Sequence, residues 1–284
     1  GARVMTSSSS PGIALKQEGI SYCAGAELPS VIVSISRGGP GLGGILPAQS
    51  DYNQATKGGG NGDYHVIVLA PNGVQEATEM VYDAFVLAEK YRTPVMVMAD
   101  GMIGQMMEPV EIKTKELPKI EGDWFADGQL SQRSKNIVSS VHLDPVKLEN
   151  HNLHLQKKYR AIEQNEVRYE CSECEDADIL CVAYGSPSRI VKAAMLDLRE
   201  KGIKVGLFRP QTLYPFPMEA LNQSAQGKKF ILVCELSMGQ MVNDVKLAVL
   251  NACPVYFYGR AGGMIFEPDE IVREVETHLK GEKE

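Results

Sequence analysis

The chain has no run approaching the roughly 18 consecutive apolar residues of a membrane helix, and its opening, GARVMTSSSS, lacks the charged-then-apolar order of a signal peptide. A cytoplasmic protein with no membrane partner is expected. Basic charge is not in excess either: 29 Lys and Arg against 36 Asp and Glu leave a formal net charge of -7 and a pI near 5.4. That balance gives nucleic acid no electrostatic footprint and favours small molecules or proteins as partners. Six cysteines in 284 residues are too sparse for a disulfide-stapled secreted domain, so reduced thiols are expected. No G-x-x-x-x-G-K motif followed by Ser or Thr occurs, which excludes a P-loop.

What is present is an alternation of short β-branched runs with helical patterns, the signature of βαβ units around mostly parallel sheets. With 44% hydrophobic residues the chain can bury two cores of ordinary size. In the first part the expected strands are RVMTS (3–7), SVIVSIS (30–36), HVIVLA (65–70) and PVMVMA (94–99). Between the last two, Val74, Ala77, Met80, Val81, Ala84, Phe85 and Ala88 recur at helical spacing, and Pro94 blocks continuation. These residues predict a crossover helix.

From about 111 to 175 the apolar periodicity thins, and KTKELPKIEGDWFADG reads as an irregular crossing. Within that connection Asp144 is a candidate N-cap and Pro145 a first helical residue, followed by apolar Val146, Leu148, Leu153, Leu155, Tyr159 and Ile162. One long helix is expected there. Beyond it come strand patterns at 178–185, 204–210, 230–236 and 254–259, with helices RIVKAAMLDLREKG and MGQMVNDVKLAVL between them. The expected division is 1–110 as one α/β domain, 111–175 as the connection and 176–284 as a second α/β domain.

The segment ISRGGPGLGG (35–44) carries G-x-G-x-x-G from Gly39 to Gly44. A dinucleotide loop needs a helix after its last glycine and an acidic residue ending the next strand. Here Pro47 falls where that helix would turn, Asp63 precedes the next strand, and that strand ends in Leu69, Ala70 and Pro71. The alternative begins with Arg37, at the carboxyl end of a buried-type strand, the edge where open α/β sheets bind ligands. Its planar fork pairs with a carboxylate or phosphate, and the glycines let backbone approach a ligand closely. A surface arginine in a turn is the competing reading.

Five blocks carry a resemblance: SSSSPGIALKQEGISYCAGAELP, SRGGPGLGGILPAQSDYNQATKGGGNGDYHVIVLAP, MADGMIGQMMEPVE, CELSMGQMVNDVKLAV and FYGRAGGMI. Together they resemble the α subunit of 2-oxoacid:ferredoxin oxidoreductases, and within that family the branched-chain, 2-ketoisovalerate (3-methyl-2-oxobutanoate) type. The resemblance implies an α/β fold: a thiamine-diphosphate-binding, pyrimidine-type parallel-sheet domain followed by a transketolase C-terminal-like domain. It also implies a thiamine diphosphate enzyme shared with partner subunits, with Mg²⁺ and [4Fe-4S] clusters on β, γ and ferredoxin-like subunits. The implied reaction decarboxylates a 2-oxoacid oxidatively, passes electrons to ferredoxin and transfers the acyl group to coenzyme A.

Carried over by position, the arginine that binds the substrate carboxylate matches Arg37, and Thr6, Ser9, Ser10 and Gly12 match the stretch near the cofactor. Ser10 is read as the cap of a helix beginning at Pro11, with Glu18 and Glu27 on that helix. Family members carry an upstream segment with a threonine-containing turn and the glutamate that protonates the aminopyrimidine. Neither is found in this sequence, so no catalytic glutamate can be nominated and an isolated chain without turnover is expected. The related substrates 2-oxoglutarate and pyruvate, a non-catalytic scaffold and an NAD-linked oxidoreductase are the alternatives. Cys171-x-x-Cys174 with Cys181 lacks a second ligand pair and reads as incidental. His151 and His154 read as a solvated helix face, and the Met-rich MVMADGMIGQMM reads as core or subunit interface.

Overall fold

The computed structural model describes residues 2–112, 116, 118, 119, 124–126 and 134–281. Most of KTKELPKIEGDWFADG lies outside the described residues. In chain order the first elements are β1 (Met5–Ser9), α1 (Ser10–Gly25), β2 (Ser30–Ser36), α2 (Tyr52–Thr56), β3 (Ile67–Leu69), α3 (Val74–Tyr91), β4 (Pro94–Asp100) and α4 (Gly101–Gln105). After α5 (Pro145–Asn165) come β5 (Tyr169–Ser172), β6 (Ile179–Val182), α6 (Gly185–Glu200), β7 (Val205–Pro210) and β8 (Thr212–Tyr214). The remaining elements are α7 (Met218–Ala225), β9 (Phe230–Glu235), α8 (Met241–Val249), β10 (Val255–Gly259) and α9 (Pro268–Lys280).

The strands form two five-stranded sheets, ordered β1-β2-β4-β3-β8 and β10-β9-β6-β7-β5. Pairing is parallel except for one antiparallel edge strand in each, β8 against β3 and β5 against β7. The central strands are apolar runs buried on both faces, as parallel sheets require: all seven residues of β4 and all six of β9 are buried. Two pairings depart from the expected division. β5 falls inside the segment read as the connection yet joins the second sheet, and β8 comes from the second half of the chain yet closes the first. Neither strand has a long apolar run: β5 alternates exposed and partly covered residues, and β8, though covered, is only three residues long. β1 also starts later than RVMTS, taking in Ser8 and Ser9 opposite Ser34 and Ile35.

α5 is the long helix expected from Asp144 and Pro145, with Asp144 Oδ1 accepting the Val146 amide at 2.9 Å. Only Leu155, Tyr159 and Ile162 of its apolar residues are buried, and they enter a core that runs unbroken from α1 through both sheets to α8. The other face of α5 is not simply solvated. His151 Nε2 lies 2.7 Å from Gly25 O, His154 Nε2 lies 3.0 Å from Glu27 Oε1, and Lys158 Nζ donates to Glu27 Oε1 at 3.0 Å. Glu27 itself sits beyond the α1 C-cap, at φ 53°, and not on the helix.

Burial by itself would raise the Glu27 carboxyl, but the Lys158 charge and hydrogen bond, helped by His154, hold it below the usual carboxylate range. The unfolded chain then binds more protons than the folded one between the two values, so this contribution is complete above about pH 4.5 and is lost as pH falls through the lowered folded value. Glu27→Gln is expected to make stability fall less steeply on acidification than in the wild type. Urea midpoints measured from pH 3 to 6 check this, and parallel profiles for the two proteins contradict it.

Candidate active site

The carboxyl edges of the two sheets face each other. Gln49, after β2, has its amide bonded to Leu236 O at 2.7 Å, accepts the Leu236 amide at 3.0 Å, and donates from Nε2 to Tyr184 O at 3.0 Å. Asp100, ending β4, caps α4 and accepts the Ser186 hydroxyl of α6 at 2.6 Å. Tyr52 donates to Asp244 at 2.6 Å, and the Ala70 amide donates to Gln211 O at 2.8 Å. Apart from the α4 cap, these bonds join loops, strand ends and helices around the first sheet to those around the second. Ligand sites in open α/β sheets lie at such edges.

Arg37 follows directly on the last residue of β2, as read from the sequence. It pairs in an isolated antiparallel bridge with Pro47, Gly38 N–H donates to Leu46 O at 3.0 Å, and Gly44 N–H donates to Gly38 O at 2.8 Å. Residues 38–46 thus close upon themselves as a loop. Gly43 is what permits the closure: its φ is 51°, and a Cβ there would lie 1.9 Å from Gly38 O. The next helix begins only at Tyr52, so the glycine pattern presents no helix N-terminus to a dinucleotide phosphate.

The guanidinium is held on one side and open on the other. Nε donates to Ser9 Oγ at 3.1 Å, and Nη1 donates to Leu42 O and, at 2.6 Å, to Gly44 O. A guanidinium has five N–H groups, so the pair on Nη2 remains, with no acceptor among the described residues. The half-buried side chain is therefore oriented before any anion arrives. Ser9, Ser10 and Arg37 come together here, because β1 and β2 are adjacent and in register with Ser9 opposite Ile35.

Two expectations for this stretch change. Ser10 does not cap α1; the N-cap position is Ser9, and neither serine caps, because Ser9 Oγ takes Arg37 Nε and Ser10 Oγ takes the Arg37 amide at 3.0 Å. Thr6 lies roughly 10 Å back along the strand from Ser9 at the usual rise per residue, exposed, with Lys16 Nζ donating to its hydroxyl at 2.7 Å. Gly12 belongs to the cluster by packing: a Cβ would come within 1.9 Å of Ser8 Oγ, so the first turn of α1 rests on β1 only without a side chain there.

The loop after β10 completes the edge. A Cβ on Gly38 would lie 3.1 Å from the Gly262 carbonyl carbon, so the two glycine loops touch. Leu42, Ile45 and Leu46 of the first loop are exposed, as is Met264 next to Gly263, where a Cβ would meet Leu46, giving apolar surface in the loop that carries the Arg37 contacts. Behind the rim, Glu235 is fully buried and accepts the Ser237 hydroxyl and the Gln240, Met241 and Val242 amides, closing the start of α8. Tyr184 is buried nearby with no partner for its hydroxyl among the described residues. Burial, with the charges of Glu235, Asp100 and Asp51 around it, pushes that phenol well above its ordinary range and keeps it neutral.

Other candidates scatter. Cys171 is exposed and Cys174 buried, its thiol donating to Leu207 O at 3.2 Å, while burial pushes Cys181 up to about 12. Met96 and Met98 are core, and Met107 is exposed. The sequence reading missed Gln49, Asp51, Asp100 and Ser186. Gln49, Asp51 and Asp100 lie within the blocks that carry the resemblance and Ser186 just after a strand pattern, but neither signal distinguishes a site residue from an ordinary loop residue.

Residues 1–170 match the family described as pyruvate flavodoxin/ferredoxin oxidoreductase, thiamine diphosphate-binding, and residues 177–271 match the pyruvate:ferredoxin oxidoreductase core domain II. The chain belongs to the 2-oxoacid:ferredoxin oxidoreductases. Among curated members of that family it is 50% identical to the ketoisovalerate oxidoreductase subunit VorB of Methanothermobacter marburgensis, over 97% of this chain and 78% of the relative. It is 36% identical to the 2-oxoglutarate synthase subunit KorA of Methanocaldococcus jannaschii, over 97% of this chain and 81% of the relative. Among solved structures, the 2-oxoglutarate:ferredoxin oxidoreductase from Magnetococcus marinus, with 2-oxoglutarate, coenzyme A and succinyl-CoA bound, superposes with a TM-score of 0.83 at 26% identity. That match takes in 98% of this chain and 54% of the solved one, so the chain spans about half of it. A split gene transketolase shares the fold, with a TM-score of 0.54 at 14% identity. No helix among the described residues is long and apolar enough to cross a membrane.

Proposed function

We propose that this chain is the subunit of a 2-oxoacid:ferredoxin oxidoreductase that binds the substrate carboxylate and faces the pyrimidine side of thiamine diphosphate. The reaction is oxidative decarboxylation of a branched-chain 2-oxoacid, 3-methyl-2-oxobutanoate first among them, to its acyl-CoA with electrons passed to ferredoxin. Partner subunits, β and γ and a ferredoxin-like chain, complete the site and carry the diphosphate with Mg²⁺ and the [4Fe-4S] clusters. Arg37 carries the reading. Its Nη2 hydrogens are open at the carboxyl edge while Ser9 and two loop carbonyls hold the rest of the fork. A carboxylate bound there stays in place until it leaves as CO₂, so the ion pair orients the reacting carbon.

The residues at this edge suit thiamine diphosphate. The first-turn amides of α1 have no side-chain cap, Gly12 lets that turn pack directly on Ser8 of β1, and the exposed leucines and Met264 offer a ring an apolar surface. When bound, the cofactor supplies the nucleophilic carbon and the electron sink. This chain's own residues bind and orient the acid and exclude water.

Substrate class follows from what surrounds the arginine. Residues 38–48, GGPGLGGILPA, contain no second cation to pair with the distal carboxylate of 2-oxoglutarate, Arg260 in the adjoining loop is already paired with Glu270, and Leu42, Ile45 and Leu46 suit an isopropyl group. The higher identity to a ketoisovalerate subunit than to a 2-oxoglutarate subunit points the same way. Co-expression of the full-length subunit with its neighbours, assayed with a 2-oxoacid panel, coenzyme A and a low-potential dye, tests this. Coenzyme A-dependent dye reduction is expected to be fastest with 3-methyl-2-oxobutanoate; a preference for 2-oxoglutarate would overturn the substrate assignment.

A further inference from the structure

Asp51 occupies the N-cap position of α2, where an aspartate ordinarily accepts a free amide of the first turn, yet its side chain makes no capping bond. α2 has only five residues and can ill spare one. Asp51 Oδ2 bonds instead to the Ser10 hydroxyl. Ser10 Oγ in turn lies 3.0 Å from the Arg37 amide and 3.3 Å from the Arg37 carbonyl oxygen.

A hydroxyl has one hydrogen, and a carboxylate only accepts. With Asp51 present the hydrogen is directed to the carboxylate, and an Oγ lone pair faces the Arg37 N–H. Without it, the hydroxyl is free to turn toward the Arg37 carbonyl and abandon the amide. Because Ser9 meanwhile accepts Arg37 Nε at 3.1 Å, the adjacent serines hold this arginine at two points, one on its backbone and one on its side chain. A local preference given up without a local gain marks residues recruited for function.

We propose that Asp51 is a positioning residue for Arg37: through the Ser10 hydroxyl it holds the backbone from which the guanidinium reaches the substrate carboxylate. The inference rests on the assignment of Arg37 to the substrate, and the test separates the two. In the assembled enzyme, Asp51→Ala is expected to raise the KM for the 2-oxoacid roughly 10-fold or more, the scale of a lost hydrogen bond to a charged group. The KM for coenzyme A should stay unchanged and kcat should move less than about threefold. Asp51→Asn keeps an acceptor oxygen and is expected to recover most of the affinity. Ser10→Ala should match Asp51→Ala, and the double variant should be no worse than either, since both cut one link.

Additive effects of the two substitutions, an unaltered 2-oxoacid KM, or a loss spread over both substrates together with a lowered melting temperature would each overturn the proposal. Should Asp51→Ala fail to assemble, Ser10→Ala reads the same link, and a normal 2-oxoacid KM there overturns it. Arg37→Ala run in parallel tells the failures apart. If that variant keeps its 2-oxoacid KM, the substrate assignment itself falls and Asp51 with it; if only the Asp51 and Ser10 variants are silent, the positioning role alone falls.

Discussion

Arg37→Ala in the assembled oxidoreductase is expected to lower kcat/KM for the 2-oxoacid by about 2 to 5 kcal/mol, roughly 30-fold to several thousandfold, as truncating one partner of a desolvated charge pair does. The side chain is half-buried and already fixed by Ser9, Leu42 and Gly44, so little ordering cost is recovered when it is removed. Arg37→Lys should recover only part of the loss, because an ammonium group on a shorter reach cannot hold the loop carbonyls and the substrate together. Steady-state kinetics across 2-oxoacid concentrations measure both variants. Unchanged turnover in Arg37→Ala would remove this residue from the site.

Arg209→Met is expected to be strongly destabilising, by about 2 to 3 kcal/mol, because it leaves the half-buried Glu76 carboxylate without its cation. Arg209, on β7, is 4% exposed and donates to both oxygens of Glu76 on α3 at 2.9 Å, and to Glu170 on β5 at 2.7 and 2.9 Å. Glu76 is the partner that matters. It is 20% exposed and also accepts from the Asn72 amide and Gln211, whereas Glu170 is 41% exposed and screened by water. Replacing both members, Arg209→Met with Glu76→Gln, should recover part of the loss, since no charge is then stranded. Chemical unfolding of the three proteins checks the order, and a midpoint for Arg209→Met equal to wild type contradicts it.

Much of the fold is local in origin and was therefore readable. SVIVSIS, HVIVLA, PVMVMA and FILVCEL are apolar, β-branched runs that can be satisfied only as strands covered on both faces, and each is a central strand. Asp144 and Pro145 start α5 where the capping rules place it. Arg37 at the end of β2 needed only the strand and the glycines that follow. The reading of Ser10 as a cap failed for a physical reason: a serine before a helix is suited to capping, but a carboxylate and a strand amide from other segments compete for the same hydroxyl and win. His154 is exposed as read, whereas His151 is half-buried against Gly25, since nothing near it in sequence signals that α1 ends against that face.

From sequence alone came two α/β units in succession, the arginine at a strand end and the family resemblance, because periodicity, turn residues and contiguous motifs are written along the chain. The tertiary structure alone decided that β8 closes the first sheet, that the two carboxyl edges face each other, and that Asp51 turns from its helix to Ser10. It also decided that Arg209 meets Glu76 across 133 residues. Those outcomes depend on which distant groups share a low-dielectric space, where an unpaired charge or hydrogen bond is costly. A linear pattern does not encode which distant partner relieves that cost.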